Sequence, residues 1–275
     1  MTRRLFGFGL FVAAGIAALF LLLPLLAIFL RIPPGKLISQ LGDPVVRDAL
    51  VVTLKTNAIA MALILLLGTP TAYLIGRRRF RGRSFALTLV ELPLVLPPAV
   101  AGIGLLAAFG RVGLLGTPIR WLGLQIPFTQ VAVVMAVAFV ASPFYVRQGI
   151  ASFEALDQNL VDAARTLGAS PARVFFRVAL PLALGGLGAG AALAFARGIG
   201  EFGATIMFAG SFQGITQTLP LAIYAEFDVS FDIALTISAL LILVSAMILL
   251  AVKLRPGWTR SSSTSSFLFA RSTSS

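Results

Sequence analysis

The sequence predicts an all-α polytopic membrane protein of about six transmembrane helices, and three observations carry that class. Hydrophobic residues make up 58% of the chain and charged residues 12%, with a mean hydropathy of +0.98, which is outside the range of a soluble globular domain. The apolar residues form runs far longer than a strand, and about 20 helical residues cross a hydrocarbon core. The basic residues cluster beside those runs, as charge-biased insertion requires. The same clustering accounts for the net charge of +12 more economically than nucleic-acid binding does.

The first run, residues 5–30, follows Arg3 and Arg4 and so opens like a secretory signal peptide. Its length exceeds the 7–15 apolar residues of such a signal, and no small-x-small cleavage site precedes Arg31. It is expected to remain as the first span. The second run, 49–76, ends in Arg77, Arg78, Arg79, Arg81 and Arg83. Pro93, Pro97 and Pro98 bend or interrupt the third, 85–109, and the backbone groups they free must face protein or water; a kink and a pore lining both satisfy that. The fourth run is 129–147 and the fifth, rich in glycine, is 182–207. The sixth, 231–252, leads into Lys253 and Arg255. A single transmembrane domain over 1–258 is expected, with a polar loop at 154–181 and a Ser/Thr-rich, disordered tail at 259–275.

Orientation follows from Lys and Arg. Arg3, Arg4, the cluster from Arg77 to Arg83, Arg147, Arg165, Arg173, Arg177, Lys253, Arg255 and Arg260 fall on one side. Arg31, Lys36, Arg47, Lys55, Arg111 and Arg120 fall on the other. The richer side is expected to be cytoplasmic, with both termini there.

The chain has no Cys and no His, which removes disulfides, thiolate and imidazole catalysis, and the zinc, haem and iron–sulfur sites built on those ligands. No catalytic or metal-ligating set is expected. The segment GRRRFRGRS from Gly76 lacks the Lys-Ser/Thr ending of a phosphate-binding loop, so the chain itself is not expected to hydrolyse ATP.

The loop at 154–181 has a helix-turn-helix signature. Asp157 can cap a helix in which Leu160, Ala163, Ala164 and Leu167 form one narrow apolar stripe. Gly168 permits the left-handed residue that ends it. Ser170-Pro171 reads as an N-cap with proline at the first helical position, opening a second helix that carries Arg173 and Arg177 on one face. Leu180-Pro181 is expected to break or kink the chain as it re-enters the membrane.

The spacing Asp162-Ala163-Ala164, three residues, Gly168, nine residues, Val178, one residue, Leu180-Pro181 resembles the EAA loop of bacterial ABC importer permeases. It departs from that pattern only in Asp for Glu at 162 and Val for Ile at 178. The resemblance implies a type I transmembrane domain in which this loop is a cytoplasmic coupling helix, seated in a cleft of a separate ATPase subunit. Asp162, Ala163, Ala164, Gly168, Leu180 and Pro181 would carry the coupling. Gly68-Thr69-Pro70-Thr71-Ala72-Tyr73, Glu91 to Pro98, and Arg197 to Thr205 look like the sulfate/molybdate group, and Gln217 to Tyr224 looks more like the molybdate/tungstate branch. The implied partners are an ATP-binding subunit, which alone uses ATP, and an extracytoplasmic binding protein docking on loops such as 110–128 and 208–228. No cofactor is implied for this chain, and the implied location is the plasma membrane of a bacterium or archaeon.

Arg197 and Glu201 stand four residues apart in what is expected to be one apolar, glycine-rich helix, where they can pair on one face. Intramembrane ionisable residues pair with each other and favour a functional reading. The pair, with Thr205 one turn on, is a candidate pathway or gate, and plain helix packing is the competing reading. Gly185, Gly186, Gly188, Gly190, Gly198, Gly200 and Gly203 suit close helix approach in lipid. Six helices are few for an enclosed route, so a homodimer with the route at its two-fold axis is expected. Two other classes fit less well. A secondary transporter would favour inverted repeats and further buried charge, and a membrane enzyme would need clustered carboxylates, whereas Glu91, Glu201 and Asp232 are scattered.

Overall fold

The computed structural model of the protein describes residues 2–253, so the tail expected at 259–275, with Arg255 and Arg260, lies outside the described residues. Every described element is helical. In chain order they are α1 (Thr2–Arg31), α2 (Pro34–Gln40), α3 (Pro44–Arg77), α4 (Arg83–Val95), α5 (Pro98–Phe109), α6 (Gly116–Trp121) and α7 (Gln130–Glu154). There follow α8 (Gln158–Thr166), α9 (Pro171–Val174), a π turn (Phe175–Ala179), α10 (Leu180–Ile199), α11 (Gly203–Ala209), α12 (Leu219–Glu226) and α13 (Phe231–Lys253).

Among the described residues five helices are long and apolar enough to span a membrane. The sixth span is the bent pair α4 and α5, whose axes meet at 115°. Pro93, Pro97 and Pro98 are its cause, since each lacks an amide hydrogen for the helical ladder and Pro98 restarts a helix at its first position. The pair is one broken span: Arg83, where α4 begins, is paired with Glu154, where α7 ends, while Ala101 and Leu105 share a core cluster with Ala132 and Val133 at the start of α7.

Several boundaries differ from expectation. Helix α3 begins at Pro44 rather than at 49, because Asp43 accepts a hydrogen bond from the Val45 amide at 2.8 Å and proline suits the first helical position. Helix α7 continues past Arg147 to Glu154, with Arg147 paired to Glu91 at 3.2 Å. The fifth run is not one helix to residue 207: it ends at Ile199, and Gly200–Phe202 separate it from α11.

The chain divides into two compact units. One holds the residues up to Thr53 together with Ser211–Val244. Its core is Val46, Ala49, Leu219, Ala222 and Ile237, and Lys36 pairs with Asp232. The other holds Leu54–Gly210 and the residues from Ser245 on. Its larger core joins α3, α7 and α10 through Met61, Ile64, Tyr145, Ile150, Phe153, Ala183 and Leu187.

Candidate coupling and translocation site

The polar loop is held by local bonds of the expected kind. Asp157 accepts from the Asn159 amide at 2.9 Å and so caps α8. Gly168 has φ +79°, and the Gly168 amide donates to Arg165 O at 2.9 Å, which closes the helix. The left-handed conformation strains any residue with a Cβ. Ser170 accepts from the Arg173 amide at 3.4 Å, and Pro171 opens α9.

The apolar stripe faces away from the chain. Leu167 is 87% exposed and Leu160 49%, Ala163 is exposed and Ala164 half-buried. Val161, which the stripe did not include, is the buried anchor of α8. Asp162 accepts from Arg165 at 3.1 Å and from Gln158 at 3.0 Å, so its carboxylate stiffens α8 from within. At Leu180-Pro181 the expected break does not occur: the chain stays helical from Pro171 to Ile199 through the π turn. That wider turn precedes Pro181 and makes room for a ring that would otherwise press on the carbonyl four residues back. Leu180 packs against the main core and Pro181 is exposed.

Sequence reasoning missed what fastens this loop to the spans. The Tyr73 ring from α3 meets Phe153 of α7 edge-on at 5.2 Å and Phe175 of the π turn at 4.8 Å. Such pairs add about 0.5–1.5 kcal/mol each beyond burial. Arg77 reaches the Leu156 carbonyl at 3.3 Å and also bonds Gln158. Arg83 donates to Ile75 O at 2.9 Å and pairs with Glu154. The α3–α4 connection therefore grips both ends of the turn into α8. Tyr73 lay in a motif singled out above, but nothing in the sequence brings it to Phe153 or Phe175.

The second constellation lies at the break after α10. Arg197 Nη2 and Glu201 Oε2 are 2.7 Å apart, and the Glu201 side chain is only 1% exposed. They do not share a helix as expected: Arg197 is in the last turn of α10, and Glu201 lies beyond it. There Glu201 Oε1 accepts from the Ala204 amide at 2.8 Å, so one carboxylate ties two helix ends together. Thr205, fully buried in α11, has no hydrogen-bond partner for its Oγ1. Asn57 of α3 joins them unforeseen. It is 1% exposed, its Oδ1 is unpartnered, and it crowds Gly198, where an added Cβ would lie 2.6 Å from that oxygen. Gly203 likewise fits against Pro98, 2.6 Å from where its Cβ would be.

Gly186 and Gly190 receive Ser152 and Gln148 of α7, so these glycines serve packing within the chain. At Gly185 an added Cβ would meet nothing within 4 Å.

A family model for the binding-protein-dependent transport system inner membrane component matches residues 68–254, from the second span through the polar loop at 154–181 to the last. The chain belongs to this family. As a transport-system membrane component it is a multi-pass membrane protein and not an enzyme. It is 44% identical over 238 residues to a molybdenum transport system permease protein of Mycobacterium tuberculosis, covering 86% of this chain and 89% of that one. Its counterpart in Escherichia coli K12 is 42% identical over 178 residues, 64% of this chain and 78% of that one. The fold of this membrane component matches a bacterial ABC transporter involved in the import of the acidic polysaccharide alginate. The TM-score is 0.66 at 16% identity, over 92% of this chain and 97% of that one. The inward-facing MetNI methionine transporter matches with TM-score 0.59 at 21% identity, over 76% and 93%.

Proposed function

We propose that the chain is the permease subunit of an ATP-driven importer for molybdate or tungstate, working as a homodimer with both termini in the cytoplasm. A separate ATPase binds at α8, and an extracytoplasmic binding protein delivers the oxyanion. The observation that carries this reading is the coupling loop: a capped helix with its apolar stripe turned outward, fastened by Tyr73, Phe153, Phe175 and Arg77 to two spans. An outward stripe needs a partner, and rigid fastening is what a transmitter of force requires. The relatives named for molybdenum transport support the substrate class.

Transmission has a direct route. The 29 residues from Pro171 to Ile199 form one continuous helical rod, about 43 Å at 1.5 Å per residue. The coupling turn is at one end and Arg197 at the other, so closure of the ATPase moves the rod and loads the Arg197–Glu201 link. Opening that link frees a guanidinium to meet a divalent oxyanion, and Glu201 limits how long it is held. Asn57 and Thr205 offer neutral polar groups beside it. Ala164→Arg places a charge in the α8 docking face and should abolish binding-protein-stimulated ATP hydrolysis and uptake while the protein still inserts in the membrane. Normal uptake by this variant would overturn the coupling role.

A further inference from the structure

We propose that the α3–α4 connection forms a binding site for the phosphate of an anionic phospholipid on the cytoplasmic leaflet. A cavity of about 600 Å³ opens there, lined by Arg77, Arg78, Arg79, Arg83, Glu154 and Gln158. Its size falls within the range of small-molecule sites. The charges in its wall do not balance, because Arg83 pairs with Glu154 and Arg77 is spent on the Leu156 carbonyl and Gln158. Arg78 and Arg79 are exposed and have no carboxylate partner among the described residues. The wall thus presents two free guanidiniums, whose planar forks match phosphate oxygens.

Position selects the source of that phosphate. Arg77 is the last residue of one span and Arg83 the first of the next, so the cavity lies at the membrane boundary. Phe80 (40% exposed) lies in the same connection and Phe85 (67%) in the first turn of α4, exposed apolar rings suited to the boundary between headgroups and acyl chains. The face proposed for the ATPase is separate, since the exposed Leu160 and Leu167 do not line the cavity. A lipid here would touch Gln158, the first residue of α8, which donates to Asp162. It would brace the base of the coupling helix against the membrane.

The test uses the full-length protein, solubilised, equilibrated with equal amounts of phosphatidylglycerol and phosphatidylcholine, and weighed intact by native mass spectrometry. Wild type should retain phosphatidylglycerol preferentially. Arg78→Gln and Arg79→Gln should each lower that preference about fivefold, the effect of one basic residue near an anionic surface, and Arg79→Lys should lower it less. Arg81→Gln removes the same charge from the same connection but does not line the cavity, so it should stay within twofold of wild type. Equal retention of the two lipids by wild type, or an Arg81→Gln loss as large as that of Arg79→Gln, would overturn the site. So would displacement of the lipid by millimolar inorganic phosphate, which would assign the cavity to a free anion. Loss of the co-purifying ATPase from Arg79→Gln with an unchanged lipid ratio would assign it to protein contact instead.

Discussion

Replacing Glu201 by alanine removes one carboxylate that serves two helix ends. Arg197 loses its partner at 2.7 Å and the buried Ala204 amide loses its acceptor at 2.8 Å. Breaking a buried ion pair by deleting one member costs about 3–5 kcal/mol, chiefly for the charge left behind. The Arg197 side chain keeps 29% exposure, which places that cost near the lower end, about 3 kcal/mol, and the unmet Ala204 amide adds about 1–3 kcal/mol. For a chain of this size each kcal/mol lowers Tm by about 2–4 °C, so Glu201→Ala should melt about 8–24 °C below wild type in a detergent thermal-shift assay. Deleting both charges is the informative comparison. Arg197→Ala/Glu201→Ala strands no guanidinium and leaves only the Ala204 amide unmet, worth about 1–3 kcal/mol. The double variant should therefore be more stable than Glu201→Ala, and still fail in uptake. If Glu201→Ala melts within about 2 °C of wild type, or if the double variant loses the sum of the two single losses, the pair does not hold the α10–α11 junction and the reasoning fails.

Other perturbations follow from the same contacts. Phe175→Ala deletes a ring 4.8 Å from Tyr73 and should uncouple uptake from ATP hydrolysis at a stability cost of about 1–3 kcal/mol, with Phe175→Leu milder; full coupling in the alanine variant, measured in proteoliposomes, would argue against the aromatic fastening. Gly168→Ala puts a Cβ at φ +79°, a strain of about 1–2 kcal/mol, and should weaken ATPase association roughly tenfold in a pull-down, with Gly168→Asn less affected. Gly198→Ala sets a methyl group 2.6 Å from Asn57 Oδ1 and 2.9 Å from Val137 Cγ1. It should cost about 1–3 kcal/mol by overpacking, and Asn57→Ala in the same chain should restore part of the lost Tm.

What was legible in the sequence was local. Asp157, Gly168 and Ser170-Pro171 act through bonds to residues two to five positions away, and caps of this kind are written in residue type and spacing. The Arg197–Glu201 pairing was legible for the same reason. The break between them was not, because an apolar run measures the surroundings of a helix rather than its continuity, and the surroundings stay apolar through Gly200. Gly198, Gly200 and Gly203 were the available signal, and they were read for packing alone. The prolines of the third span announced its bend without its angle, which depends on how α5 seats against α7 and α11. The α3, α7 and π-turn contacts that fasten the loop are fully tertiary, and no periodicity anticipates Tyr73 meeting Phe175. Asn57 was passed over as one polar residue in an apolar span, although Gly198 needs the room beside it.

The central claim is that this chain carries an oxyanion under the power of a separate ATPase. The most direct measurement is to isolate the tagged protein from mildly solubilised membranes, identify its companions, and assay ATP hydrolysis with molybdate, tungstate or sulfate and the binding protein present. The account predicts a co-purifying ATPase whose rate rises when the binding protein is loaded with molybdate or tungstate. A chain that purifies alone and moves molybdate down an ion gradient would contradict it.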